Sequence, residues 1–374
     1  MSKITHILII SSWYPTNEQP FLGNFVQRQA ELLAREYKIT VLNTVADDSL
    51  KKISVEKTQN GNLCEITVRH PKGKSILRKR REQVAAFANG MNLIDHVNLI
   101  IGHVALPKSW QFIEAKKRFN CPLFYIEHGS YFRAEKRNDF NFIEKYLLKQ
   151  LKKRADEIIA VSDFLKKDME LIFSNSDIKV IGNHVDEELF SLSPEQKNST
   201  TEFLHISTLD EQTKNPKGII IACSLLKKEG HSFHLTIVSD EDSTKMQEYA
   251  KREDVFDRIT FVGPLKWEET VAYYHKADAF ILFSYYETFS IVLAESWMTG
   301  TPTISTPVGI AFAENKDLGI AVENNNAASL KNAMARITAH SESLDSNVIR
   351  EFAKKYSSDS ILQKWQQLIE KHAQ

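Results

Sequence analysis

The sequence predicts an α/β protein with two domains, each built on a doubly wound parallel sheet. Two observations carry this prediction: short apolar strands alternate with amphipathic helices along most of the chain, and the alternation pauses once, near residue 185. Strands that alternate with helices form βαβ units, and these units build parallel sheets. With 374 residues, of which 42% are hydrophobic, the chain is long enough to bury two cores.

The first series of elements runs from the N-terminus to about residue 185. Its opening strand is followed by a polar loop and then by a helix, in which Phe25, Ala30, Leu32 and Leu33 recur at helical spacing. The strands predicted in this half are 6–12, 38–43, 97–102, 123–126, 157–160 and 178–181, and the helices are 24–36, 108–119, 139–154 and 163–173.

A polar stretch at 191–201, SLSPEQKNSTT, interrupts the pattern and is expected to link the two domains. The second series has predicted strands at 203–207, 233–239, 258–262, 278–283 and 302–305, and predicted helices at 215–229, 243–252, 267–276 and 290–299. The last 60 residues are expected to be mostly helical. Two sheets of this kind place ligands at the carboxyl ends of their strands, in a crevice between the domains.

Several classes of protein are disfavoured by composition and motif. No apolar run reaches the roughly 18 residues that a membrane span needs, and no small-residue cleavage site follows the short apolar start. Cys64, Cys121 and Cys223 are too far apart for a disulfide framework or a spaced zinc site, which favours a cytoplasmic protein. No strand is followed by G-x-G-x-x-G, which argues against a dinucleotide-dependent dehydrogenase.

Charge is distributed unevenly although the net charge is zero. Residues 1–185 carry 29 basic and 20 acidic side chains, whereas the remainder carries 19 and 28. The basic half could face anionic lipid or a phosphate-bearing acceptor, or it could be ordinary solvated surface. Its densest basic segments are Lys72–Arg81 and Lys145–Arg154, and the first of them also contains Ile76 and Leu77.

The segment that follows the strand at 278–283 carries the strongest chemical signal. Glu287 lies in the loop at the carboxyl end of this strand, and a helix begins near Phe289 or Ser290. The first N–H groups of a helix are unpaired and lie at the positive end of its dipole, which suits a diphosphate. Glu295 follows about one and a half turns into the helix. Two such carboxylates can accept hydrogen bonds from sugar hydroxyls, although acidic residues are also common near helix starts.

This segment resembles the glycosyltransferase family 4 superfamily. The E-x7-E pattern of the family is present as Glu287 and Glu295, followed by Gly300-Thr301-Pro302. Further stretches resemble family motifs in the same order: WYPTNEQPFLGNFVQRQAELL near the N-terminus, Glu127-His128-Gly129, Val161-Ser162, IGNHVDEELF at the domain junction and Thr306-Pro307-Val308-Gly309. The resemblance covers nearly the whole chain.

The resemblance implies a retaining transfer of a sugar from a nucleotide-diphosphate donor without a metal ion. Glu295 would bind the ribose, Glu287 the hydroxyls of the donor sugar, and backbone amides near Phe289–Ile291 the phosphates. His128 would lie near the donor sugar and the acceptor, with His103 as a second and weaker candidate. The donor-binding residues that the resemblance implies are Gly23, Thr208, Lys214, Glu287, Thr288, Phe289, Ser290, Ile291 and Glu295. Gly23 would let the backbone approach the substrate.

A basic residue must meet the charge that develops on the leaving diphosphate. In the family an Arg and a Lys do so after the first strand of the second domain. Lys214 fits the Lys position, whereas Thr208 stands where the family has Arg. Asp240-Glu241-Asp242 matches a DxD metal pattern but is expected to be a turn after a strand, so no metal is expected.

The resemblance further implies a GT-B architecture, in which two Rossmann-like domains face each other across a cleft. Residues 1–185 would bind the acceptor, residues 186–355 the nucleotide sugar, and a helix over 356–374 would cross back to the first domain. The expected acceptor is a glycan or a lipid-linked molecule of cell-surface polysaccharide synthesis, with peripheral contact to the inner face of the membrane and no nucleic acid partner. Two alternatives remain open: a nucleotide-sugar epimerase of the same fold, and a catalytically silent partner subunit.

Overall fold

The chain forms two compact units in a computed structural model that describes residues 5–193, 200–313, 316–341 and 344–372. Unit 1 comprises residues 1–161, 165–183 and 362–374, and unit 2 comprises residues 162–164 and 184–361. Most of the predicted linker, residues 194–199, lies outside the described residues.

In the described residues, unit 1 contains an eight-stranded sheet with the order β3-β4-β2-β1-β5-β6-β7-β8. The strands are β1 (His6–Ser11), β2 (Lys38–Asp47), β3 (Ser54–Asn60), β4 (Leu63–Pro71), β5 (Leu99–His103), β6 (Leu123–Glu127), β7 (Glu157–Ala160) and β8 (Ile178–Val180). Only β3 runs antiparallel to its described neighbour, β4. The sequence does not predict β3 or β4; β3 is exposed along its whole length and has Val55 as its one apolar residue, so it shows no apolar alternation.

Five helices lie between these strands in the described residues. They are α1 (Asn24–Leu33), α2 (Ile76–Met91), α3 (Ser109–Phe119), α4 (Phe142–Arg154) and α5 (Asp163–Glu170). Side chains cap the starts of α2 and α4. The helix predicted from residue 139 begins only at Phe142, because Asn141 and Glu144 form a capping box there. The predicted α1 and α5 each end three residues beyond the observed helix, and α2 is not predicted.

Unit 2 has a six-stranded sheet over its described residues, with every neighbouring pair parallel and the order β11-β10-β9-β12-β13-β14. The strands are β9 (Thr201–Ile206), β10 (Phe233–Val238), β11 (Ile259–Val262), β12 (Ala279–Leu282), β13 (Thr303–Ser305) and β14 (Gly319–Ala321). Numbered within the unit, this order is 3-2-1-4-5-6, which is the order of a doubly wound Rossmann sheet. Only β14, three residues long, is absent from the prediction.

The later helices pack around this sheet and continue to the C-terminus. They are α6 (Pro216–Lys228), α7 (Thr244–Arg252), α8 (Trp267–Lys276), α9 (Ile291–Met298), α10 (Ala327–Thr338), α11 (Ser346–Ala353) and α12 (Ser358–His372). From Leu362 onward, α12 belongs to unit 1, where His372 Nε2 lies 2.8 Å from Glu157 Oε1 at the start of β7. The predicted α/β class with two parallel sheets is therefore confirmed.

Length and apolarity together decide whether a helix can cross a bilayer. Among the helices in the described part of the chain, none is long and apolar enough to do so.

Arg350 joins three segments of unit 2 through backbone carbonyl groups. Its guanidinium donates to Phe190 O at 2.7 Å, to Glu187 O at 2.9 Å and to Met298 O at the end of α9. An arginine has five N–H donors in a fixed planar arrangement, so one side chain can bind all three carbonyls. Arg350 therefore ties the first residues of unit 2 to α9 and α11.

Arg350→Met should lower the free energy of unfolding by about 2–4 kcal/mol, because carbonyl groups that the guanidinium now binds lose their donor. Urea unfolding measures the change. Lys228→Met, at an exposed lysine of α6, is the matched control and should change it by less than about 0.5 kcal/mol. Equal stability of the two variants would contradict the role assigned to Arg350.

Candidate active site

The strand order of unit 2 reverses between β9 and β12, and the loops that leave these two strands lie side by side. The backbone N–H of Tyr285, after β12, donates to the carbonyl of Thr213, after β9, at 2.7 Å. In open α/β sheets, ligands bind at the carboxyl edge where the strand order reverses. The predicted residues Lys214 and Glu287 are both in these two loops.

Lys214 and Glu287 form an ion pair across this reversal point. Lys214 Nζ lies 2.7 Å from Glu287 Oε1, and Ser284 Oγ donates to the same oxygen at 2.7 Å. The Glu287 side chain is only 9% exposed and that of Lys214 22% exposed, so the pair lies close to the surface of unit 2 but is largely shielded from solvent. The structure thus brings together two residues that the sequence predicts separately, and gives each the other as its partner.

Thr208 is exposed in the loop after β9, and its side chain has no hydrogen-bond partner among the described residues. The side chain of His205 connects the start of this loop to β12. Because a carbonyl oxygen only accepts, His205 donates from Nδ1 to Ile281 O at 2.9 Å, and its Nε2 accepts from Ser207 Oγ at 2.8 Å. Burial lowers the pKa of His205 to about 4, so this histidine is neutral and adds no cation beside Lys214.

The start of α9 exposes backbone donors that no side chain caps. Ser290, the residue before the helix, adopts φ 71° and makes no capping hydrogen bond, and its buried Oγ has no partner within the described residues. A helix start with free N–H groups and an unpartnered hydroxyl suits the oxygens of a phosphate. The predicted residues Thr288, Phe289, Ser290 and Ile291 form this turn, directly after Glu287.

Gly309 allows the loop after β13 to close against this turn. It adopts φ 58°, and a Cβ at this position would lie 2.5 Å from Phe289 O and 3.0 Å from Glu287 Cβ. Thr306 Oγ1 also donates to Ser284 O at 2.7 Å. The Thr306–Gly309 motif therefore supports the backbone that carries Glu287 and the start of α9.

Glu295 is 3% exposed on α9, and each of its oxygens already accepts a hydrogen bond from α8. Trp267 Nε1 donates to Oε1 at 2.6 Å, and the Tyr274 hydroxyl donates to Oε2 at 3.0 Å. A carboxylate offers about four acceptor positions, so further donors can bind. Neither aromatic residue is predicted from the sequence, although their seven-residue separation places them on one face of α8.

Unit 1 contains a second group of polar side chains at the carboxyl ends of its central strands. His103 ends β5 and His128 follows β6, and their rings meet with His103 Nδ1 3.1 Å from His128 Nε2. Phe25 of α1 stacks on His128 with ring centroids 4.4 Å apart. The other nitrogens, His103 Nε2 and His128 Nδ1, are buried without a partner in the described residues. Burial lowers the pKa of His103 to about 3 and that of His128 well below its usual value, so both rings are neutral.

Glu127 holds the backbone at His128. Its Oε1 accepts from the N–H groups of His128 at 2.8 Å and Gly129 at 2.6 Å, and its Oε2 accepts from the hydroxyls of Tyr125 and Tyr131. Burial is the largest influence on this carboxyl group and raises its pKa. From the sequence, Glu127 is predicted only as part of a motif, because its partners are brought to it by the sheet and by the turn that follows.

Gly23 lies where two backbone segments of unit 1 come close to each other. It adopts φ 72° immediately before α1, and a Cβ there would lie 2.5 Å from the backbone carbonyl of Trp13. The close contact is therefore with the N-terminal loop of the chain itself. A contact of Gly23 with the donor stays a prediction.

The acidic turn at Asp240–Asp242 is occupied by local hydrogen bonds. Asp242 Oδ1 accepts from Thr244 N at 3.0 Å and from Thr244 Oγ1 at 2.6 Å, at the start of α7. Within the described residues, no group of three or more His, Cys, Asp or Glu side chains is arranged to hold a metal ion.

Two protein-family models match the chain, one over each half. The model for "Glycosyl transferases group 1" matches residues 186–356, and the model for "Glycosyltransferase Family 4" matches residues 22–189. Glycogen synthase of Mycobacterium tuberculosis is 26% identical over 171 residues, which are 45% of this chain and 40% of the synthase. The match thus spans less than half of that relative's length.

Solved structures of the same fold are similar over nearly the whole chain. Sucrose-phosphate synthase from Thermosynechococcus elongatus superposes with a TM-score of 0.78 at 18% identity, covering 98% of each chain. Anabaena HepE, solved in complex with UDP and glucose, superposes with a TM-score of 0.71 at 14% identity, covering 98% of this chain and 99% of HepE. The two family models and the shared GT-B fold agree with the motifs, and the chain belongs to the glycosyltransferase family 4 superfamily of sugar-transferring enzymes.

Proposed function

We propose that the protein is a hexosyltransferase that moves a sugar from a nucleotide-diphosphate donor to a glycan or lipid-linked acceptor with retention of configuration. The observation that carries this proposal is the position of the Lys214–Glu287 pair beside the uncapped start of α9. It combines an ammonium group, a carboxylate and free backbone donors at one edge of unit 2. These are the groups that a sugar diphosphate needs.

Each part of the donor has a complementary group in unit 2. The diphosphate would bind the N–H groups at the start of α9, together with the unpartnered Ser290 hydroxyl and Lys214 Nζ. Glu287 would accept hydrogen bonds from the sugar, and Glu295 from the ribose. The complex of HepE with UDP and glucose supports a donor of this class.

Catalysis would consist mainly of stabilising the negative charge on the departing diphosphate. An ammonium ion and preorganised backbone N–H groups supply this stabilisation without a metal ion. When the donor binds, Lys214 would divide its three N–H donors between Glu287 and the diphosphate. Retention and the role of His128 near the acceptor rest on the family resemblance.

Lys214→Ala should lower kcat by about 10²–10³, because it removes a preorganised donor aimed at developing charge. Release of nucleoside diphosphate is measured with whichever of UDP-, GDP- and ADP-glucose binds. Thr208→Arg should restore part of the loss in the double variant, because Thr208 stands where the family has Arg. Lys217→Ala is the matched control, since Lys217 pairs with Glu211 at 2.5 Å.

Near wild-type turnover of Lys214→Ala would contradict the placement of the diphosphate. A second candidate is a subunit that binds the donor without reacting. It is favoured because Thr208, exposed and without a partner in the described residues, stands where the family has Arg. A wild-type protein that binds a donor and neither transfers nor hydrolyses its sugar would establish that alternative.

The proposed acceptor belongs to cell-surface polysaccharide synthesis, and unit 1 has a surface suited to a lipid-linked form of it. Ile76 and Leu77 are each 85% exposed at the start of α2, within the basic segment Lys72–Arg81. Phe142 and Ile143 are 84% and 68% exposed at the start of α4, before the basic segment Lys145–Arg154. Exposed apolar side chains among basic ones are typical of surfaces that bind anionic membranes.

The double variant Ile76→Ser/Leu77→Ser should bind vesicles of phosphatidylglycerol and phosphatidylcholine at least about tenfold more weakly than the wild type, because two exposed apolar side chains no longer insert. Co-sedimentation measures the bound fraction, which should also fall as salt is raised. Leu93→Ser, at another exposed leucine of unit 1, is the control. Equal binding by all three proteins would contradict contact through this segment.

A further inference from the structure

Unit 1 contains a polar pocket of about 450 Å³ that the proposed chemistry does not use. It lies between the N-terminal loop at 14–20, Gln27 of α1 and the β3–β4 hairpin. In the sheet order, β4 is separated from β6, which leads to His128, by β2, β1 and β5. Four strand spacings make the separation ~19 Å. The floor of the pocket on β4 is thus distant from β6, whereas α1 borders both places, with Gln27 in the pocket lining and Phe25 stacked on His128. The volume of the pocket falls in the range of small-molecule sites.

The floor of the pocket is one face of the β3–β4 hairpin. Glu65, Thr67 and Arg69 alternate along β4 and line the pocket, whereas Ile66 and Val68 between them are buried on the opposite face. Alternation of this kind assigns one face of a strand to the core and the other to a polar surface. The register places Thr58 opposite Glu65 and Glu56 opposite Thr67, so both strands contribute polar groups to the same face.

Glu65 is fixed in the centre of this floor by three donors. The Tyr14 hydroxyl and Gln27 Nε2 donate to Oε1, the amide at 3.4 Å, and Thr58 Oγ1 donates to Oε2 at 3.3 Å. A carboxylate held in place by its neighbours retains acceptor positions for a ligand. Binding to it therefore requires little reordering of the side chain.

The charge of the pocket is negative, since its arginine is already paired. Arg69 makes two contacts of 3.1 Å with Glu18 and lies 3.8 Å from Asp47. Glu56 and Glu65 add two further carboxylates to the lining. This negative charge would repel a phosphate or carboxylate ligand. Among the described lining residues, no unpaired cation would offset the repulsion.

Free hydrogen-bonding groups complete the lining. Asn17, Glu56 and Thr67 face the pocket, and their side chains have no hydrogen-bond or ion-pair partner in the described residues. An amide, a carboxylate and a hydroxyl offer both donors and acceptors, which match the hydroxyl groups of a sugar. Pro15 and Pro20 add apolar surface beside them.

We infer that this pocket binds a sugar residue of the acceptor, uncharged or carrying an amine, at a distance from the hydroxyl that reacts. The inference rests on the proposed function, because it assigns the substrate class of that enzyme's acceptor. The inference predicts an acceptor that contains more than one sugar residue. It also predicts that the sugar in this pocket carries no anionic group. The basic segments of unit 1 would thus meet anionic groups, whereas this pocket would take a neutral or positively charged sugar.

Ligand-observed NMR on the full chain tests the inference with methyl glucosaminide, methyl glucoside and methyl glucuronide as probes. The first two should bind, and the glucuronide should bind at least about tenfold more weakly because its carboxylate faces Glu56 and Glu65. Thr58→Trp should remove the binding by filling the pocket. Val55→Trp is the matched control, because Val55 is exposed on the same strand and points to the other face.

Binding of the glucuronide as tight as that of the glucosaminide would overturn the inference, as would a Thr58→Trp variant that binds like the wild type, or a wild type that binds none of the three. Titration with UDP, GDP and ADP is run in parallel on the same proteins. Thr58→Trp should leave this binding unchanged, since the nucleotide belongs to unit 2. Failure of every nucleotide to bind the wild type would contradict the proposed donor instead, so the two failures are distinguishable.

Discussion

The reversal of strand order in each parallel sheet is the constraint on which the candidate site depends. At a reversal, the loops that leave two neighbouring strands turn to opposite faces of the sheet and leave a crevice at its carboxyl edge. In unit 2 this crevice lies between β9 and β12, which carry the loops of Lys214 and Glu287. In unit 1 the reversal lies between β1 and β5, and His103 ends β5. Sheet topology therefore places the candidate residues of both units at these edges.

Three buried acids lie in or beside the loops at these edges. Glu127, Glu287 and Glu295 each accept hydrogen bonds from at least two groups of their own unit. A buried carboxylate without such partners would be strongly destabilising. The same donors fix the direction of each carboxylate, so that the site is formed before a ligand binds. Strained backbone at Val104, Leu209 and Ser290, all with positive φ, occurs in the same edge loops.

The fold class and most element positions could be predicted from the sequence because apolar periodicity is local. Lys214 and Glu287 could also be identified, from their places in a motif. Their ion pair could not be, since 73 residues separate them and only the sheet order brings their loops together. The hairpin of β3 and β4 was not predicted because β3 is exposed along its whole length and lacks apolar alternation, and the pocket around Glu65 was missed with it. The donors to Glu295 from α8 were missed for the same reason as the ion pair: contacts between elements leave little trace in either element alone.

In the proposed function, unit 2 binds the nucleotide through Glu295 and the sugar through Glu287. Calorimetric titration of Glu295→Gln and Glu287→Gln with the nucleoside diphosphate that binds the wild type tests it most directly. Glu295→Gln should weaken binding by about 1–3 kcal/mol, because the amide cannot accept from the ribose as the carboxylate does. Glu287→Gln should leave the affinity nearly unchanged, since a nucleoside diphosphate has no donor sugar. Unchanged affinity in a folded Glu295→Gln variant, or equal losses in both variants, would contradict this division of roles.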